Sequence, residues 1–228
     1  MLLCDRQTVG LQRGDGNMRI VKEATERKNE ILDAAAVLFM KKGFDNTSTN
    51  DILEAVGIAR GTLYHHFKSK EEVMDALIDR QMEKILSAAR QAAADLSVPV
   101  EERIIRTITA LHIGEEGSPM TEHLHKPQNA LMQQKINQIT MRQVPPILAG
   151  ILEDGIREGL FETPYPLVCM ELAVIYLKMV LDDGVFELTE PESAARIEAF
   201  TFHLERMLGV KQGQLNFFTK LFERKEEP

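Results

Sequence analysis

Cysteine is almost missing from this 228-residue chain. Cys4 and Cys169 are too few for a disulfide scaffold or a cysteine-rich zinc site. Long apolar runs are missing too. The longest, around Val144–Leu152 and Leu172–Leu177, are far too short to span a bilayer. No apolar segment opens the chain, which makes the cytoplasm the expected compartment. There is no glycine-rich phosphate loop and no nucleophile elbow, so an enzyme is not expected, nor any cofactor. The carboxylate pairs Glu153-Asp154 and Asp182-Asp183 are adjacent in sequence, so on helices their side chains diverge; both are expected on solvated faces. Internal repeats are also lacking. What is present is a 44% hydrophobic content, enough for a sizeable core, in a length that suits one small and one larger domain.

Charge is unevenly placed. Residues 18–70 hold nine Lys/Arg against seven Asp/Glu, whereas residues 71–228 hold sixteen against twenty-six. An acidic body is repelled by polyanions, so any nucleic-acid contact is confined to the amino-terminal part. Acidic surfaces also simply keep proteins soluble, so charge says only where to look.

The pattern is helical throughout, with no alternating run long enough for a sheet. Residues 1–17 have no period and three glycines, and read as disordered. Met18 opens a charged, periodic segment and would make a natural start. Arg13-Gly14-Asp15 is what a translated ribosome-binding site would encode, so residues 1–17 are expected to be non-native. From Thr25 to Lys42 one amphipathic helix places Ile31, Ala35, Leu38 and Phe39 on a stripe, and Gly43 follows as its C-cap. Thr47-Ser48-Thr49-Asn50-Asp51 supplies N-caps for a short helix carrying Ile52, Leu53 and Val56, ended by Gly57. A third short helix runs from Arg60 to Phe67, and Ser69-Lys70-Glu71-Glu72 is a capping box for a fourth. Further helices are predicted over Glu71–Leu96, Pro99–Ile113, Met120–His125, from Gln128 to Gly159, and over Leu167–Phe186, Glu190–Leu208 and Gly213–Arg224. Pro145-Pro146 is expected to break or kink the one from Gln128. The predicted class is all-α: a three-helix domain followed by a larger helical bundle. The expected boundaries are a disordered extension at 1–20, a first domain at 21–70 and a second at 71–228.

Two short helices joined by a tight turn and braced by a preceding helix form a helix-turn-helix. Advancing about 100° per residue, Leu63 and Phe67 of the third helix point into a small core with Ile52, Val56 and Phe39. Gly61, Thr62 and His65 point the opposite way, with Tyr64, His66 and Lys68 on the flanks and Arg60 and Lys70 bracketing the segment. A glycine for close approach, a hydroxyl, an imidazole and flanking cations suit a helix pressed between two phosphate ridges. The helix N-termini near Thr49 and Arg60 can each receive a phosphate oxygen. A solvated helix face is the competing explanation.

The run Phe44-Asp45-Asn46-Thr47-Ser48-Thr49-Asn50-Asp51-Ile52, followed by Ala55-Val56-Gly57-Ile58-Ala59-Arg60-Gly61-Thr62-Leu63-Tyr64-His65-His66-Phe67-Lys68-Ser69-Lys70-Glu71-Glu72, closely resembles the DNA-binding domain of tetracycline-repressor (TetR) family regulators. The resemblance covers roughly residues 25–75; the remainder is similar only in helical layout. It implies a homodimeric repressor that binds a palindromic double-stranded operator and is released by a small molecule. It places Thr49 on a phosphate, sets Arg60, Gly61, Thr62, Tyr64 and His65 on the recognition helix, and gives His66 and Lys70 phosphate-gripping roles. Ala59 departs from the pattern, where many members carry serine, and so removes one helix cap.

One such helix reads too few base pairs for a regulator, and two half-sites about 34 Å apart require a dimer. In the Glu190–Leu208 helix, Ile197, Phe200, Leu204 and Met207 form one stripe, and Ala195, Ala199, Phe202 and Arg206 a second, which is the expected dimer face. The alternative cover for the second stripe is the last helix, with Leu215, Phe217 and Phe218. Met82, Ile104, Ile108, Leu111, Met132, Ile136, Ile139 and Tyr176, with Met141, Met170 and Met179, are the candidate lining of an apolar effector pocket. Plain core packing competes for each. His123 and His125 at i, i+2 do not share a helix face, so no metal is expected there, with or without His112. The principal rival function is a helical adaptor that reuses the helix-turn-helix without binding DNA.

Overall fold

A computed structural model describes residues 15–111, 130–180, 186 and 188–219, with side chains from residue 24 onward except at 130, 131 and 219. Every regular element among the described residues is helical: α1 (Asp15–Lys42), α2 (Thr49–Val56), α3 (Arg60–His66), α4 (Lys70–Ala93), α5 (Val100–Leu111), α6 (Ala130–Arg157), α7 (Pro166–Val180), α8 (Glu190–Met207) and α9 (Asn216–Thr219). The chain divides into two compact units, Met1–Leu77 and Ile78–Pro228.

In the first unit α1 packs on α2. Its core holds Ile31, Leu32, Ala35, Phe39, Ile52, Leu63 and Phe67, all buried, while Val56 is only half-buried. The loop after α1 is tightly bonded. Asn46 Nδ2 donates to Lys42 O at 3.1 Å, and the buried Thr47 hydroxyl donates to Gly43 O at 2.8 Å. Both satisfy carbonyls that the end of α1 leaves open. Gly57 closes α2 with φ +72°, a left-handed cap that a side chain would strain.

Helix α1 begins earlier than the pattern indicated. Asp15–Ile20 form its first turns, where the sequence was expected to be disordered; residues 1–14 lie outside the described residues. After Gly16 no proline or glycine interrupts the chain until Gly43, so nothing stops the helix from extending backward. The second correction concerns a break at Pro145 and Pro146: α6 passes through both as one helix. Each proline lacks an N–H, so two backbone bonds are forfeited there, while Pro145 is fully buried and Pro146 exposed.

In the second unit α6 packs on α5 and α7, and α8 on α7 and α9. Gly155 lets the Phe161 ring lie against α6; a Cβ there would sit 2.5 Å from the ring. The third correction is Asp154. It pairs with Arg103 at 2.7 Å, their side chains 18% and 5% exposed, and also bonds Arg157. Arg103 Nε further donates to Ala93 O at 2.9 Å, so one buried guanidinium joins the end of α4 to α5 and α6. Glu153 is exposed as expected, and Asp182 and Asp183 lie outside the described residues. Among the described residues, no helix is long and apolar enough to cross a membrane.

Candidate nucleic-acid interface

Helix α3 presents two chemically distinct faces. Leu63 (1% exposed) and Phe67 are buried, whereas Tyr64 is 45% exposed and Arg60, Gly61 and His65 are exposed. Thr62 and His66 are half-buried on the flanks, and Lys68 is exposed. The outward surface therefore offers a backbone without a side chain at Gly61, where a Cβ would meet nothing within 4 Å, beside a phenol, an imidazole and a guanidinium. Ala59 takes the N-cap position with φ −71° and ψ 151° and makes no side-chain cap bond, as its methyl requires.

Helix α2 is held from its amino end. Ser48 Oγ accepts from Asp51 N at 3.1 Å, and Asp51 Oδ2 accepts from Ser48 N at 2.7 Å, closing a reciprocal cap. Asp51 Oδ1 accepts from Lys42 Nζ at 2.6 Å. The Lys42 ammonium first, then the Ser48 hydroxyl and amide, hold the Asp51 carboxyl far below its ordinary value. Thr49, the first residue of α2, is half-buried, and Arg60 Nη2 reaches across to Asn50 Oδ1 at 3.4 Å. The Ser48-x-x-Asp51 spacing is a sequence signature of a cap; the Lys42 partner carries no such local signal.

The histidines form an edge-on pair with centroids 5.2 Å apart. Burial pushes His66 below its ordinary value of 6.5, and repulsion from His65, Lys28 and Arg27 adds to it. These causes favour the neutral imidazole, which offers one donor and one acceptor instead of a second positive charge. Lys70 is half-buried; its Nζ donates to Phe44 O at 2.7 Å. The Ser69 cap of α4 forms through Glu72 N at 3.2 Å, while the Glu72 carboxylate accepts from Lys68 N rather than from Ser69.

The other candidate residues divide by environment. Ile108 is core, and Tyr176 stacks on Phe200 at 5.0 Å. Ile104, Leu111, Ile139 and Met141 are half-buried against that core, and Met82, Met132 and Ile136 are half-buried. Met170 is buried and Met179 exposed. Two open grooves, of about 600 Å³ and 270 Å³, run beside the α4–α5 turn; Ala88, Ala92 and Arg106 line the first and Arg90, Arg103 and Gly150 the second. None of the candidate pocket residues lines either. On α8, Ala195, Ala199, Phe202 and Arg206 are all exposed, with Arg206 lying over the Phe202 ring at 5.2 Å. His112, His123 and His125 lie outside the described residues, and among the described residues no three His, Cys, Asp or Glu side chains gather into a metal site.

Two family models match the chain. The tetR family of bacterial regulatory proteins matches residues 31–77, and the tetracyclin repressor-like C-terminal domain matches residues 115–203. Together they span more than half of the sequence. The HTH-type transcriptional repressor KstR2 of Rhodococcus jostii (strain RHA1) is 27% identical over 159 residues, which is 67% of this chain and 74% of that protein. KstR2 of Mycobacterium tuberculosis (strain CDC 1551 / Oshkosh) is 34% identical over 83 residues, 36% of this chain and 42% of that protein. A TetR-family transcriptional regulator from Pectobacterium atrosepticum, 18% identical, shares the fold with a TM-score of 0.56 over 82% of this chain and 91% of that one. An exposed polar face on α3, a capped helix-turn-helix beneath it and these matches converge, and the chain belongs to the TetR family of transcriptional regulators.

Proposed function

We propose that the protein is a repressor that binds a palindromic operator as a homodimer, one α3 in each of two successive major grooves, and is released by a small apolar effector. The observation that carries this is the division of α3. Leu63 and Phe67 anchor it, while Arg60, Gly61, Tyr64 and His65 stand outward as a compact surface of donors, acceptors and one fixed cation. The name of the KstR2 relatives supports repression over activation.

Dimerisation is supported by apolar surface left uncovered in the second unit. Helix α7 is apolar nearly all round, which in water calls for cover on both sides. One side is core, with Cys169, Met170, Ala173 and Val174; on the other, Val168, Leu172, Ile175 and Met179 repeat at helical spacing and are exposed. With Ala195, Ala199, Phe202 and Arg206 of α8 they offer each protomer two helices for a second copy. The first unit's few cations are the ones left to meet DNA, because the second unit is strongly acidic.

Helix α4 is continuous from Lys70 to Ala93 and belongs in part to each unit. An effector that binds better when α4 is differently set changes the spacing of the two α3 helices and releases the operator. That effect is no larger than its differential affinity for the two states.

The test is selection of duplexes from a random pool, followed by mobility shift over a salt series. A recurring inverted repeat, bound with a steep salt dependence by a dimer in light scattering, is the expected result. Retardation of all sequences alike, or none, supports the adaptor reading instead.

A further inference from the structure

We infer that His66 takes up a proton when a phosphate reaches it, so that this protein holds DNA more tightly as pH falls. This rests on the proposed operator binding and adds its regulation. His66 is the last residue of α3, half-buried, with the His65 ring edge-on at 5.2 Å and the Phe67 ring tilted at 6.5 Å. Helix α1 brings cations to the same corner. Lys28 Nζ lies 5.6 Å from the centroid of the Phe67 ring, and Arg27 precedes it, both exposed. Neither imidazole has a hydrogen-bond or ion-pair partner among the described residues. Of the carboxylates flanking these groups in sequence, Glu30 bonds Arg27 at 2.5 Å, Glu72 accepts from Lys68 N, Glu71 bonds Ser69, and Glu26 is exposed. The charges that bear on His66 are positive. Burial first, then His65, Lys28 and Arg27, hold it below its ordinary value.

A phosphate opposes the causes that disfavour the proton. Its charge offsets Lys28 and Arg27, and its oxygens accept the ring N–H, which favours imidazolium over imidazole. The last turn of a helix also favours a cation. His66 therefore titrates at higher pH on DNA than off it. The sign follows by linkage. The bound form carries more protons, so the added affinity is fully present below the value in the free protein and is lost as pH rises through the value on DNA. Above that window the neutral ring still donates one N–H, and binding continues without the extra charge.

The experiment compares full-length wild type with His66→Gln, which keeps a donor and an acceptor but cannot be charged. The probes are an inverted-repeat duplex recovered by selection and a scrambled duplex. Titration calorimetry in buffers of low and high ionisation enthalpy counts the protons taken up on binding. Wild type is expected to take up protons, approaching about one per protomer, and to lose about tenfold or more in affinity from about pH 6 to about pH 8. Its salt slope is steeper at the acid end by about 0.9 per protomer, because one more phosphate is neutralised. His66→Gln is expected to lose this uptake and to keep one salt slope at both ends. The inference is overturned when wild type binds without proton uptake, or when His66→Gln takes up as many protons. If His66→Gln does not fold or bind, the His66 imidazole ¹H signal of wild type decides, with His65→Gln used to separate the two rings. A titration that moves to higher pH on the duplex upholds the inference; one that stays in place overturns it. If selection yields no preferred duplex, the operator proposal fails and the scrambled duplex decides the proton step, which needs only phosphate. If no duplex is bound, both fail.

Discussion

At the scale of single residues, bonding to neighbouring groups sets the chemistry at the start of α2. Asp51 shows the principle. Its two oxygens take Lys42 Nζ, Ser48 N and Ser48 Oγ, and a carboxylate so bonded resists protonation. The folded carboxyl titrates below the unfolded value of 3.8, so the stability it contributes is fully present above that pH and is lost as pH falls through the folded value. Asp51→Asn is expected to lower the urea midpoint at neutral pH and to lessen its decline under acid; equal acid dependence in mutant and wild type contradicts the network. The cap itself was legible in the Ser48-x-x-Asp51 spacing. The partners of Lys42 and Lys70 were not, because each lies outside the lysine's own helix rather than along its face. Lys70 meets Phe44 26 residues away, and nothing in the order of side chains announces which carbonyl an ammonium will find.

At the scale of elements, periodicity read the small helices well. Leu63 and Phe67 turn inward and Gly61 and His65 outward because a seven-residue helix over a small core has a single way to bury its large apolar side chains. The long helices escaped such reading. Pro145 and Pro146 are breakers by local rule, yet α6 runs through them, packed on α5 and α7. Arg103 carried no signal in sequence and Asp154 was expected on a solvated face, yet they become one buried joint when α5 meets α6. Removing one member of a buried pair strands its partner. Arg103→Met is therefore expected to cost about 3 kcal/mol in urea denaturation, with a clear coupling energy in a double-mutant cycle with Asp154→Asn. Additive effects of the two substitutions would mean that the joint exchanges freely with water.

At the scale of the whole molecule, uncovered surface carries the information. Val168, Leu172, Ile175 and Met179 expose one apolar face of α7, and Phe202 stands out from α8. A monomer gains nothing from such a face, while a self-complementary pair gains its burial twice over. Leu172→Glu combined with Phe202→Glu is expected to yield a folded monomer by light scattering and circular dichroism, with operator affinity reduced by the loss of the second half-site. A dimer that survives both changes places the interface elsewhere.

Taken as a string, the chain specified the helical class, the cap residues, the inward and outward sides of α3 and the family it resembles. These follow from interactions between residues a few positions apart, which the 3.6-residue period and the turn residues encode directly. Packing alone decided that α6 continues through two prolines, that Arg103 seals three helices, that Lys70 faces a carbonyl and that α7 keeps a bare apolar side. Each of those depends on which distant surfaces meet. Burial and hydrogen-bond satisfaction select among such encounters only once the helices already exist.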